Sequence, residues 1–180
     1  MEEPAGLLKN YCHLLKDLPA SSTILDLACG DGQNGIFLAR KGFEVAGCDV
    51  SREALDRAKG RAKESGVRLA LFQTDLEKEG APPLPADAYG GILVFKYLHR
   101  PLIPFIKRAI QNRGFLFYET FTEDQRQFGR PRNPAHLLRK GELRGWFRDW
   151  QLCHYFEGIK SHPDRAVAQL VCRKPPSFQT

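Results

Sequence analysis

Three acids in the first 75 residues occupy the positions best suited to chemistry. Asp26, Asp49 and Asp75 each lie in or just beyond a short apolar run. Between the first two runs the sequence breaks into Ala28-Cys-Gly30-Asp-Gly32-Gln-Asn-Gly35. A buried parallel strand that meets glycines so abruptly ends in a tight turn before a helix. Gly30 and Gly32 remove Cβ atoms where a ligand must approach the main chain. A helix beginning near Gln33 turns its free N–H groups toward whatever sits over that turn. Asp49 ends the second run, where a carboxylate can accept hydrogen bonds from two vicinal ribose hydroxyls. Turn and acid together describe a nucleoside-binding half-fold.

The spacing Gly-x-Gly-x-x-Gly, with Asp49 nineteen residues after Gly30, also suits NAD and an oxidoreductase. Charge argues against that reading. Asp26 sits inside the first strand, four residues before Gly30, where it would repel a pyrophosphate. Asp31, within the turn, adds to the objection. An ammonium or sulfonium would instead be attracted. Asp75, after the third strand, can accept from an exocyclic adenine amine. Acids at three successive strand ends suit a cationic adenosyl ligand, and that ligand is S-adenosyl-L-methionine.

These residues resemble the motifs of the class I S-adenosylmethionine-dependent methyltransferases. Leu25-Asp-Leu-Ala-Cys-Gly-Asp-Gly32 is similar to the family's glycine motif, Cys48-Asp-Val-Ser51 to its ribose motif and Thr74-Asp-Leu76 to its adenine motif. The resemblance implies that Asp26, Ala28, Gly30 and Gly32 frame the methionine part of the cofactor. It assigns the ribose to Asp49, the adenine amine to Asp75, and the faces of the adenine ring to the main chain of Val50 and Leu76. Tyr97-Leu-His-Arg-Pro-Leu102, Tyr118-Glu-Thr-Phe121 and Leu138-Arg-Lys-Gly-Glu-Leu143 resemble a small bacterial-type subgroup often grouped with tellurite-resistance methyltransferases. Two positions depart from the family pattern. The fourth strand opens Tyr89-Gly-Gly-Ile92 rather than with an acid, and Lys96 stands where a small polar residue is usual. A lysine ammonium beside a sulfonium is unfavourable unless it turns away.

The elements that must position these residues follow from periodicity. Apolar residues at 7, 8, 11, 14, 15 and 18 predict an N-terminal helix within residues 1–22. Helices are expected over 33–41, capped by Gly42, and over 51–65, N-capped by Ser51. A further helix is expected over 102–111, with prolines in its first turn, and another over 135–147, broken near Gly141. Strands are expected over 24–29, 44–48, 67–72, 92–95, 115–118, 150–156 and 166–172. Residues 77–87 are proline-rich and short of helix, and 175–180 is a frayed tail. The alternation implies a single α/β domain over 1–180. Its architecture is a Rossmann-like class I methyltransferase sandwich, a seven-stranded mostly parallel sheet with one antiparallel edge strand and helices on both faces.

Acceptor-facing groups belong at the exits of the fourth and fifth strands, the ligand edge of such a sheet. The catalytic candidates are Tyr97, His99, Tyr118 and Glu119, with His99 as a general base if the nucleophile must lose a proton and Glu119 in contact with cofactor or acceptor. The exit Phe95-Lys-Tyr-Leu98 is not the Asn/Asp-Pro-Pro-Tyr type that amino-methylating nucleic-acid enzymes use. A small acceptor is therefore expected, entering under the loop 122–135. The net charge is +6, and residues 100–149, with eleven Lys/Arg against five Asp/Glu, account for the whole excess. Arg126, Arg130, Arg132, Arg139 and Arg144 leave open an anionic acceptor, or a basic face that docks on RNA or an acidic protein. Few aromatics interleave with them, so base stacking is not indicated. No apolar run reaches the ~20 residues of a membrane span, and no leader sequence is expected. Five cysteines without a Cys-x-x-Cys pair read as reduced thiols in a cytoplasmic protein, with no metal site.

Overall fold

A computed structural model of the chain describes residues 3–78 and 84–176. Part of the proline-rich segment and most of the expected frayed tail therefore lie outside the described residues. The N-terminal helix is α1, Gly6–Tyr11, continued as a 3-10 helix to Asp17. Then come β1 (Thr23–Leu27), α2 (Gln33–Ala39), β2 (Glu44–Asp49), α3 (Arg52–Glu64), β3 (Ala70–Gln73) and β4 (Tyr89–Phe95). The second half holds α4 (Ile103–Ala109), β5 (Ile110–Phe121), α5 (Glu142–Trp146), β6 (Gln151–Lys160) and β7 (Arg165–Arg173).

The seven strands form one sheet in the order β3-β2-β1-β4-β5-β7-β6. β1 lies at its middle, parallel to β2 on one side and to β4 on the other. Chain order reverses there, which puts the ligand crevice above the carboxyl end of β1. The expected sheet is present, with one adjustment. The antiparallel strand is β7, and it lies one place in from the edge. It pairs antiparallel with both β5 and β6, so β6 is the edge strand and runs with the parallel set.

Two apolar layers hold the sheet. On one face Leu7, Leu8 and Leu15 of the N-terminal helices pack with Ile24, Leu38, Leu93, Phe115, Phe117 and Val171. On the other, Ile106 of α4 and Leu143 of α5 pack with Leu25, Ile92, Val94, Leu116, Tyr118 and Leu170, beside Phe147. The alternation of odd and even residues of β5 between these layers is the period of two of a strand buried on both faces.

The unusual Gly90-Gly91 opening of β4 belongs to this packing. A Cβ on Gly90 would lie 2.6 Å from Cβ of Ser22, and one on Gly91 would lie 3.2 Å from Leu15. Both glycines are at the strand's start, remote from the ligand edge, and let the N-terminal segment lie directly on β4. Gly90→Val should therefore destabilise the fold by about 2 kcal/mol through overpacking. A melting temperature lowered by about 4–8 °C would register it. An unchanged melt would show that Ser22 can move aside.

Several boundaries differ from expectation: β3 begins at Ala70, β4 already at Tyr89, and β6 runs on to Lys160. β5 begins at Ile110, directly after α4, because Ile110 pairs with Tyr89 before a register shift carries the ladder on to Phe115. The segment 135–147 is not one helix. Residues Pro134–His136 form a 3-10 turn, Leu138 bridges to Thr122, and α5 holds only Glu142–Trp146. The loop after β5 carries a 3-10 helix, Glu123–Gln127.

Candidate active site

A cleft of about 860 Å³ opens at the carboxyl edge of β1, β4 and β5. Its floor is the glycine turn, where Ala28, Gly30 and Gly32 have φ of 53°, 52° and 77°. These left-handed values suit the glycines, and Ala28 adopts one despite its Cβ. A side chain on Gly30 would meet no protein atom within 4 Å, so only the cleft would receive it. Gly32 is bare for another reason. Its Cβ would stand 3.0 Å from that of Ala58 on α3.

Asp26 lies on β1 and is 2% exposed. Its Oδ2 accepts the Gly35 N–H at 2.9 Å, capping the first turn of α2. The other oxygen, Oδ1, has no hydrogen-bond partner among the described residues, and Asp26 lines the cleft. Burial pushes this carboxyl from 3.8 up to about 7; the Gly35 N–H opposes that rise and the charge of Asp49 adds to it. Asp49 ends β2 and accepts Gly30 N–H on Oδ2 and Ser51 N–H on Oδ1, each at 2.9 Å. It thereby ties the glycine turn to the start of α3 while retaining acceptor lone pairs for a ligand. Val50, Asp75 and Leu76 lie outside the cleft, at the ends of β2 and β3. Val50 is 61% exposed, and its carbonyl is held by the Gln73 amide at 2.9 Å. Asp75 accepts the Glu77 N–H and is exposed, whereas the Leu76 side chain is buried in the core.

Asp31 needs a correction. The sequence suggests that its charge adds to that of Asp26. It instead pairs with Arg57 at 2.9 Å and with Arg61 at 3.5 Å. The Arg57 hydrogen bond, together with both arginine charges, holds its carboxyl below the usual range. Its charge is neutralised locally, and the case against a diphosphate rests on Asp26.

The four acceptor-side candidates do not converge. Glu119 and Tyr97 line the cleft; His99 and Tyr118 do not. Tyr118 is 1% exposed and donates its hydroxyl to the Tyr97 carbonyl at 3.1 Å. Tyr97 donates in turn to Glu77 Oε1 at 3.2 Å, and His99 Nδ1 lies 3.9 Å from Glu77 Oε2. Tyr97 and His99 therefore gather at Glu77 on the Asp75 side, with Tyr118 behind them in the core. Burial drives the Tyr97 and Tyr118 hydroxyls well above the ordinary tyrosine range. Lys96 lines the cleft at φ 57°, its peptide N–H bound to the Glu119 carbonyl at 2.8 Å. Its side chain is exposed, which moderates the expected repulsion.

Of the five arginines expected to form a basic approach, only Arg130 lines the cleft. Arg144 is turned to the Phe147 carbonyl. Arg165, which was not anticipated, joins Arg130 at the mouth with Phe121, Gln125 and Phe128. Neighbouring Arg100 has a different task. It grips both Glu142 oxygens at 2.8 and 2.9 Å and the Leu137 carbonyl at 2.8 Å, fastening the loop before α5 to the exit of β4. Arg100→Met should cost about 2 kcal/mol, since it strands a carboxylate and a carbonyl. Ligand affinity at the glycine turn should not change, which paired melting and calorimetric measurements would check. The N-terminal strap closes the cleft from above. Pro4, Ala5 and Gly6 line it, and Ala5 N–H donates to Asn34 Oδ1 at 2.9 Å.

All five cysteines are free thiols; Cys29 and Cys153 are half-buried and the others buried. Among the described residues no helix is long and apolar enough to cross a membrane.

Comparison with known proteins agrees with this geometry. Residues 24–112 match a family model described as a methyltransferase domain. The ubiquinone biosynthesis O-methyltransferase of Vibrio cholerae is 27% identical over 108 residues, covering 58% of this chain and 44% of that protein. The carboxy-S-adenosyl-L-methionine synthase of Campylobacter jejuni is 40% identical over 65 residues, covering 35% of this chain and 28% of that protein. The chain thus spans less than half the length of these relatives. Among solved structures, TehB from Haemophilus influenzae superposes with a TM-score of 0.73 at 18% identity, over 93% of this chain and 65% of that one. An S-adenosylmethionine-dependent methyltransferase from Methanosarcina mazei gives 0.73 at 15%, over 98% and 100%. Residues 24–112 thus carry a methyltransferase domain, in a chain whose sheet order, with the acids of its first two strands meeting at one glycine turn, is that of the Rossmann-like methyltransferase fold.

Proposed function

We propose that the chain is an S-adenosylmethionine-dependent methyltransferase acting on a small acceptor. The observation that carries the reading is the unpartnered Oδ1 of buried Asp26 beside an open glycine turn. That oxygen reaches the open cleft rather than being sealed in the core, and a cation is the ligand that best meets a carboxylate there. The residues present fit the cofactor. Asp26 would hold its charged methionine end, with Ala28, Gly30 and Gly32 giving backbone access, Asp49 would take the ribose hydroxyls, and Asp75, Val50 and Leu76 would hold the adenine.

When bound, the cofactor supplies an electrophilic methyl carbon on a sulfonium. The protein's part is alignment and exclusion of water, which in well-oriented reactions is worth ~7–11 kcal/mol. The strap at residues 4–6 covers one side of the cleft, and Phe121 and Phe128 make the acceptor end partly apolar. The ubiquinone and carboxy-S-adenosylmethionine relatives support a small acceptor. Arg130 and Arg165 favour one that carries an anionic group.

Calorimetric titration tests the reading. S-adenosylmethionine and S-adenosylhomocysteine should both bind with micromolar-range affinity. Absence of heat with either ligand would remove the proposal.

A further inference from the structure

A file of hydrogen bonds crosses the sheet beneath α1 and ends in the cleft. Glu119 on β5 and Gln169 on β7 are direct partners in the antiparallel ladder, so their side chains share a face. His154 on β6 lies two residues from Phe156, which pairs with Gln169, and it reaches the same face. Gln169 Nε2 donates to Glu119 Oε2. Gln169 Oε1 lies 3.3 Å from His154 Nε2, and His154 Nδ1 lies 3.0 Å from the Tyr11 hydroxyl. The Tyr11 and His154 rings stack at 4.7 Å.

The directions are forced. An ionised carboxylate only accepts, so Gln169 must present its amide NH₂ to Glu119. Its oxygen then only accepts, so His154 must carry the hydrogen on Nε2. In the neutral ring that leaves Nδ1 bare, and Tyr11 donates to it. Nothing in the packing asks for this arrangement. Gln169 is 4% exposed in a strand whose interior, between Arg165 and Arg173, is otherwise Ala166, Val167, Ala168, Leu170, Val171 and Cys172, all at 1% or less. An apolar residue there would avoid burying an amide. What the file does achieve is to fix one oxygen of Glu119 and leave Oε1 without a partner among the described residues, on a side chain lining the cleft.

We propose that Gln169 and His154 are positioning residues that aim Glu119 at an acceptor bearing an O–H or N–H on its nucleophilic atom. The proposal rests on the methyl-transfer reading. The heteroatom's lone pair forms the bond to the methyl carbon, and the carbon–sulfur pair stays on sulfur as a neutral thioether. The heteroatom's proton passes to Glu119 Oε1. Charge balances, since sulfonium and carboxylate are both neutralised.

The test uses the full chain saturated with S-adenosylhomocysteine and two O–H probes, catechol and its carboxylate protocatechuate, followed by ligand-observed NMR. At least one probe should bind the unsubstituted protein, and Glu119→Gln and Gln169→Met should each weaken it at least fivefold. S-adenosylhomocysteine affinity should stay within twofold in both variants, and long-range ¹H–¹⁵N NMR should show His154 as the Nε2–H tautomer. An Nδ1–H tautomer, probes that do not bind, or probes indifferent to Gln169→Met would overturn the proposal. So would a parallel fall in S-adenosylhomocysteine affinity, which would put Glu119 on the cofactor. If the unsubstituted protein does not bind S-adenosylhomocysteine, the methyltransferase reading itself is what fails.

Discussion

Asp49→Ala should lower affinity for S-adenosylhomocysteine at least a hundredfold and lower the melting temperature as well. The same carboxylate does two things. In the unliganded fold it accepts the Gly30 and Ser51 N–H groups, and each hydrogen bond to a charged group is worth about 1.5–3 kcal/mol. Its remaining lone pairs are those that, in the proposed reading, the ribose hydroxyls would meet. Alanine removes both contributions and frees the turn at Gly30, whose left-handed φ of 52° is held by that contact. Asp49→Asn, with one acceptor oxygen, should fall between. A titration in which Asp49→Ala binds like the unsubstituted protein would separate Asp49 from the ligand and leave it only a turn-tying role.

The second large effect is on pH. Asp26 titrates near 7 in the fold because burial disfavours its charge, against 3.8 in the unfolded chain. Between about pH 4 and 7 the folded carboxyl keeps its proton and the unfolded one has released it. Stability from this group is therefore full below pH 4, falls as pH rises, and levels off above 7. The total is on the order of 4 kcal/mol. Ligand binding should move the opposite way. A cation beside Oδ1 favours the ionised form, so affinity for S-adenosylmethionine should rise about tenfold between pH 5.5 and 7.5 and then flatten. Asp26→Asn should bind weakly and show neither slope. Thermal melts and calorimetry across that range check both; an Asn variant that keeps the unsubstituted protein's slopes would assign them to another group.

The glycine turn and the two acids that tie it were legible because their signals are local. A strand, a glycine turn and a helix are contiguous from Thr23 to Ala39, and Ser51 caps α3 by accepting the Ala54 N–H, as its side chain and position imply. The acceptor half was not. Phe128 and Arg130 reach the cleft from the loop after β5, Arg165 from the start of β7, and Pro4 and Ala5 from the N-terminus. No spacing rule joins residues so far apart in sequence. His99 and Tyr118 were plausible by position along their strands. The first turns toward Glu77, and the second obeys the alternation of β5 into the core. One signal was available: Gln169 is a lone amide in an apolar run. The segment 135–147 misled because Arg100 clamps the Leu137 carbonyl, holding as loop what local propensity would wind into helix.

The place of β7 also bears on how the chain is made. β5 can complete its pairing only with a strand that ends at Arg173. While the polypeptide is still emerging from the ribosome, β5 has β4 on one flank and a bare, apolar ladder on the other. Such an open flank recruits neighbouring nascent chains. Interruption of synthesis between α5 and β7 is thus the stage at which this protein is most prone to clump and most dependent on chaperones.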